Sequence, residues 1–214
     1  MPGYPLIGRE LLPGSRSRLA RTIRAFALSA LVGAAAGALS AQVRLHLGLP
    51  GHKALLWVTP LVVARLTLGR GGEAIAAAVA AGQIALLAGG NLGGGAPLLP
   101  LLIVAGAVLD AACAVVQRCR LLWPATLALL GLAGAAANLL CSARRIGDAW
   151  FAHTLSAGII RVTSSYAFFG LSAGVLGAAI ALWIERSRRG RALASSPARK
   201  GPPGGDGRGN GRAP

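Results

Sequence analysis

Residues 25–43 form an apolar block without a single charged side chain. At a helical rise of about 1.5 Å per residue, a block of this length nearly crosses a hydrocarbon core of about 30 Å. Short polar segments separate it from five further apolar blocks, at residues 54–68, 74–88, 97–116, 121–143 and 166–184. Apolar residues gathered in blocks, rather than along one face, are typical of membrane helices. We therefore predict an all-α fold, an integral membrane bundle of six transmembrane helices.

The composition agrees with this fold. Of 214 residues, 54% are apolar and 13% are charged, and the mean hydropathy is +0.61. Such values are typical of a helical membrane protein. We predict one membrane domain at residues 25–185, preceded by a basic tail at residues 1–24. Residues 186–214 are rich in glycine, proline and arginine, cannot bury apolar surface, and are predicted to be disordered.

The formal net charge of +16 comes almost entirely from arginine. Arginines lie in both tails and in the turns at Arg70 and Arg118, and the positive-inside rule assigns these four segments to the cytoplasm. We therefore predict a multi-pass protein of the inner, cytoplasmic membrane with both termini cytoplasmic. Anionic membrane lipids, rather than nucleic acid, are the expected partners of these cations. The cations that depart from the rule, on the outer side, are Arg44, Lys53, Arg144, Arg145 and Arg161.

The amino terminus also fits a signal peptide. A basic segment precedes the first apolar block, and Ala38-Leu39-Ser40 resembles a cleavage site with small residues at its ends. Such a leader would be unusually long, and its apolar block is longer than a typical signal-peptide core. We therefore expect a retained first span.

The sequence gives little indication of catalysis or metal binding. It contains no HExxH and no acidic pair, so we predict that the chain is not an enzyme. Cys113, Cys119 and Cys141 have neither CxxC spacing nor a nearby histidine cluster, so we predict no metal, no cofactor and no disulfide. The glycine-rich residues 89–95 lack the ending of a nucleotide phosphate loop. They fit either a flexible linker or a backbone nest for an anion.

Two charged residues lie well inside apolar blocks. Counted from the outer ends of their predicted spans, Arg65 is about 12 residues deep and Asp110 about 14, so their depths agree within about 3 Å. Each alone costs about 2.5 to 3.5 kcal/mol on insertion scales. We predict an intramembrane ion pair between them. A structural role is favoured over a proton or ion relay, because one pair makes no chain of titratable groups across the bilayer.

Residues 46–65 combine a polar turn with the start of an apolar helix. Pro50 and Gly51 present His52 and Lys53, and the second span follows at once. If the outer loops converge, they form a cup that suits an anionic or heteroaromatic small molecule. The alternative is that the arginines snorkel to headgroups and the tryptophans form an interfacial belt. The predicted substrate-binding residues are His52, Lys53, Trp57, Asn91, Arg144, Arg145, Trp150 and His153.

An amphipathic stripe follows the fifth span. Phe151, Leu155, Ile159 and Val162 recur at spacings of four, four and three residues, which is typical of one face of a helix. We predict a short interfacial helix on the outer face of the membrane here.

Small residues repeat at helical spacing on the first and last spans, where they let membrane helices approach closely. The repeats are Ala30, Ala34 and Ala38, then Gly33 and Gly37, and finally Gly170, Gly174 and Gly177.

Six short spans, the alanine face at residues 30–38, termini inside and polar outer loops resemble the S component of energy-coupling factor (ECF) transporters. The S component is the substrate-binding membrane subunit of these vitamin and micronutrient transporters. Over residues 19–186, the resemblance implies that the alanine face docks on a transmembrane scaffold subunit whose ATPase partners drive uptake. It also implies that the loops around His52, Asn91 and Arg145 hold a small-molecule substrate. The alternative is a non-catalytic scaffold or assembly subunit with no small-molecule substrate.

Overall fold

A computed structural model describes residues 15–42, 51–69, 71–88, 98–151 and 157–194 of the chain. These residues form helices and no strand, so the predicted all-α class is confirmed for this part of the chain. The helices are α1 Ser15–Gln42, α2 Ala54–Leu68, α3 Glu73–Leu87, α4 Leu98–Cys119, α5 Trp123–Phe151 and α6 Ala157–Ala194.

Four of the described helices are long and apolar enough to cross a membrane. The stretches that qualify are Leu19–Gln42, Leu99–Cys119, Trp123–Ala143 and Gly158–Arg188. Helices α2 and α3 are also apolar but have 15 residues each. Such a helix is about 22 Å long, against about 30 Å of hydrocarbon. Length and composition together therefore agree with a membrane protein that has four long candidate spans.

Three helices extend by more than one turn beyond their predicted bounds. α5 continues through Phe151 and α6 begins at Ala157, so a separate interfacial helix does not form among the described residues. α6 also runs on to Ala194, into a segment predicted to be disordered, because arginine favours helix and the next proline is Pro197. α1 begins at Ser15, inside the predicted basic tail.

Consecutive helices alternate in direction. Gly33 faces Ala77 and Gly37 faces Ala81, so α1 and α3 run parallel. Similar contacts make α2 parallel to α6, α3 antiparallel to α4, and α5 antiparallel to α6. The end of the bundle where α1 begins therefore also holds the end of α6. We call it the basic end, after its exposed arginines Arg21, Arg24, Arg118, Arg120, Arg186 and Arg188.

α2 is the central helix. It contacts each of the other five described helices, whereas α1 packs mainly on α3, α4 on α3 and α5, and α6 on α5 and α2. Val58, Leu61 and Val62 are fully buried in the core as a result. Thr59 Oγ1 donates a 3.1 Å hydrogen bond to the carbonyl oxygen of Ala173, which ties α2 to α6.

α5 and α6 pack backbone to backbone along a glycine seam. A Cβ atom at Gly134 or Gly174 would collide with backbone atoms of the opposite helix. The close approach lets Asn138 Nδ2 donate a 2.8 Å hydrogen bond to the carbonyl oxygen of Tyr166. Van der Waals contact and hydrogen bonds of this kind hold helices together in lipid, where no hydrophobic force acts between them.

We expect Gly174→Ala to destabilise the protein by about 1 to 3 kcal/mol, the usual cost of overpacking, because the added methyl group meets the Leu130 backbone. Gly147→Ala is the matched control, since no described atom lies within 4 Å of a Cβ at Gly147. The measurement is the thermal unfolding midpoint of the purified variants in detergent. Equal midpoints for the two variants would contradict a close seam.

Candidate functional site

Arg65 and Asp110 form an ion pair inside the bundle, as their matched depths in the sequence predict. Arg65 Nε donates to Asp110 Oδ1 at 2.7 Å. The two residues are 2% and 8% exposed, so water screens the pair little.

Asp110 also caps the start of α3. Its Oδ1 accepts the backbone N–H of Ala74 at 3.4 Å, and its Oδ2 accepts the N–H of Ile75 at 3.2 Å. The first N–H groups of a helix have no partner within that helix, and leaving them unpaired is costly away from water. The residue before α3 is Gly72, which has no side chain to serve as a cap. Asp110 on α4 supplies the missing acceptor.

Arg65 has a second side-chain partner, and its backbone takes part in the C-terminal cap of α2. Its Nη1 donates to Gln117 Oε1 at 3.3 Å, and its carbonyl oxygen accepts the N–H of Gly69 at 3.2 Å. A cation in the last turn of a helix also favours the helix dipole. The pair thus joins the end of α2, the start of α3 and the middle of α4. This arrangement favours the structural role over a relay.

At the opposite end of the bundle, which we call the His52 end, the turn before α2 packs on α6. Gly51 adopts a φ of +90°, and a Cβ there would meet the backbone and ring of Tyr166. The His52 ring lies edge-on to Phe169, with ring centroids 6.4 Å apart. Lys53 is half-buried beside them. The turn is therefore held in place by glycine contact and an aromatic pair.

Trp57 does not lie at an open surface. It is 3% exposed and belongs to the hydrophobic core, so this structure does not present it at a surface that a ligand or a lipid headgroup could reach. The reason is the central position of α2, whose neighbours cover the first turn of the helix. Its role in substrate binding stays a prediction.

The remaining predicted binding residues are only partly described. Arg144, Arg145 and Trp150 lie in the last third of α5, toward the His52 end. Asn91 and His153 lie outside the described residues. The structure therefore brings helix ends together at this end of the bundle, and among the predicted residues it places the side chains of His52 and Lys53 there.

The small residues of α1 have divided roles. Gly33 and Gly37 pack so closely on α3 that a Cβ atom would collide with the backbone of Ala77 and Ala81. The alanines predicted to dock a partner are half-buried, on one flank of this contact: Ala30, Ala34 and Ala38. The glycine face is thus internal, and the alanine face lies at its edge.

Within the described ranges, no group of three or more histidine, cysteine or acidic residues is close enough to hold a metal ion. Cys113 and Cys141 are buried free thiols, and Cys119 is an exposed one. Buried thiols of this kind pack as small apolar residues.

Comparison of the chain with protein-family models, curated proteins and solved structures gives no match. Its function therefore has to follow from its residues and their geometry.

We expect Arg65→Leu to destabilise the protein by about 3 to 5 kcal/mol, because it leaves the carboxylate of Asp110 buried without its cation. The double variant Arg65→Leu/Asp110→Asn should be more stable than Arg65→Leu, since a neutral amide oxygen still accepts an N–H from α3. The exposed Arg118→Leu is the control. Folded yield and thermal midpoint, followed by size-exclusion chromatography, give the comparison. A harmless Arg65→Leu would contradict the role of the pair.

Proposed function

We propose that this chain is the substrate-capturing membrane subunit of an ECF-type uptake transporter. It binds a small nutrient in a cup at its His52 end. Energy for uptake comes from other chains, because the sequence has no nucleotide phosphate loop of its own.

The observation that carries the proposal is the alternation of helix direction. Because the helices alternate, residues 43–50, 89–97 and 152–156 all connect helix ends at the His52 end. These segments, with the turn before α2 and the last third of α5, contain most of the charged residues and histidines outside the basic end. Cations and imidazoles suit an anionic or heteroaromatic solute, and arginine can bind a carboxylate with two hydrogen bonds.

The anchored turn at His52 supports the same interpretation. A binding group that is already held in place lowers the entropic cost of binding a ligand. The Gly51 contact with Tyr166 and the His52–Phe169 ring contact fix this turn on α6. His52 and Lys53 can then act as fixed polar groups at the base of the cup.

A docking role for α1 supports the transporter assignment. Ala30, Ala34 and Ala38 are half-buried, and small residues of this kind let a partner helix approach closely. In the proposal, this face contacts a transmembrane scaffold subunit, which in turn binds ATPase subunits.

In the proposed arrangement, α2 and α3 are short spans within a six-span bundle of the inner membrane. Both are covered by longer neighbours, and Asp110 and Arg65 serve the helix ends that fall short of the basic end. Backbone that ends within the membrane is tolerated where protein groups satisfy it. Both termini lie in the cytoplasm, on the side of the exposed arginines.

A scaffold subunit without a substrate is the second candidate. The burial of Trp57 favours it, because this removes an indole from the cup. In that case Arg161 and Lys53 at the His52 end only reach toward headgroups.

The two candidates differ in what they lose when the cup is altered. For a capture subunit, a small molecule should copurify with the wild-type protein and be identified by mass spectrometry. The variant His52→Ala/Lys53→Ala/Arg145→Ala should no longer retain this molecule. Its stable complex with partner subunits should remain. Arg118→Ala/Arg120→Ala removes charge at the opposite end and should keep the small molecule. A wild-type protein that purifies with partners but without any small molecule would favour the scaffold.

Orientation is tested by cysteine labelling of intact cells with a membrane-impermeant maleimide. In a Cys119→Ser background, Arg161→Cys should react at once, whereas Arg188→Cys should react only after permeabilisation. Both positions are exposed, and the remaining thiols of Cys113 and Cys141 are buried. Labelling of Arg188→Cys in intact cells would overturn the orientation.

A further inference from the structure

Within the described chain, no Cα atom of α1 lies within 8 Å of a Cα atom of α6, and α2 packs against both helices. The result is a groove of about 430 Å³ along the side of the bundle, with α2 as its floor. Its main lining residues are Leu28 and Val32 from α1, Pro60, Val63 and Leu68 from α2, and Ile180 from α6.

The groove has an apolar lining, and its hydroxyl groups already donate hydrogen bonds within the bundle. Thr59 and Thr67 contribute its hydroxyl groups. Thr59 Oγ1 donates to the carbonyl oxygen of Ala173 at 3.1 Å, and Thr67 Oγ1 donates to that of Val63 at 2.8 Å. Both hydroxyl protons are therefore already used within the bundle. A polar ligand would lose its hydrogen bonds to water here without replacement, whereas a hydrocarbon chain would lose none.

Two arginines lie beyond the lining residues of the groove, at its rim toward the basic end. Arg24 lies four residues before Leu28, on the same face of α1. Arg188 lies about two turns beyond Ile180 on α6. Both arginines are exposed, and the acidic residue near them on α6 is Glu185. The rim therefore carries a positive charge that suits a phosphate group.

We propose that this groove holds an acyl chain of an anionic phospholipid, whose phosphate binds Arg24 and Arg188. The apolar groove and the arginines at its rim lie in the same order as the acyl chain and the phosphate of such a lipid. A second copy of the chain fits less well. In a symmetric dimer within a membrane, the arginines of both copies would face each other across the groove, and like charges repel.

The test uses the full-length protein in nanodiscs that contain phosphatidylglycerol and phosphatidylcholine in equal amounts. After transfer to detergent, native mass spectrometry counts the lipids that the protein retains. Wild-type protein should retain one phosphatidylglycerol in preference to phosphatidylcholine. Arg24→Gln/Arg188→Gln should reduce this preference about 25-fold, since each cation near an anionic headgroup contributes about a fivefold step.

Arg118→Gln/Arg120→Gln is the matched control, because it removes the same charge from exposed positions at the end of α4, a helix that contributes no residue to the groove. Val63→Phe fills the floor and should abolish retention of either lipid. The helicity of each variant and its elution as a single species are measured first, to show that it folds. If Val63→Phe does not fold, the two double arginine variants still decide the test.

Three outcomes would overturn the proposal. They are equal retention of the two lipids by wild-type protein, an equal loss of preference in the two double arginine variants, and a dimer that excludes lipid. A lost preference in Arg24→Gln/Arg188→Gln alone would support it. The lipid site and the nutrient cup lie at different ends of the bundle, so either can fail without the other.

Discussion

Helix α3 begins inside an apolar bundle, and the structure depends on the carboxylate that accepts hydrogen bonds from its first N–H groups. Asp110 binds the N–H groups of Ala74 and Ile75, and Arg65 neutralises the charge that this requires. A carboxylate alone would be too costly in such surroundings, and an arginine alone would be equally so. Together they let the short α2–α3 hairpin turn inside the bundle, whereas the longer helices continue to the basic end.

Close packing by small residues completes the arrangement. Gly33 and Gly37 bring α1 onto α3, and Gly134 and Gly174 bring α5 onto α6. Each contact uses backbone against backbone, which is the main source of helix association in lipid. These two tight pairs leave α2 as the helix that both share. They also leave α1 and α6 apart, so the groove is a direct consequence of where the glycines lie.

The two ends of the bundle consequently differ in chemistry. The basic end has exposed arginines and the apolar groove, which together suit an anionic lipid. The His52 end has the turn fixed on α6 and the connecting segments with the other polar residues. A solute that binds at the His52 end would therefore meet an anchored surface, and lipid would occupy a separate site on the opposite half of the molecule.

The sequence by itself determined the helical class, the bounds of α2 to within a residue and the Arg65–Asp110 pair, because hydrocarbon length and charge burial are local constraints. Only the tertiary structure decided which groups the pair serves, since the N–H groups of Ala74 and Ile75 meet Asp110 through packing of α3 on α4. It also decided that Trp57 is core and that α1 and α6 stand apart. These outcomes depend on which helices are neighbours, and a pattern along one chain does not contain that information.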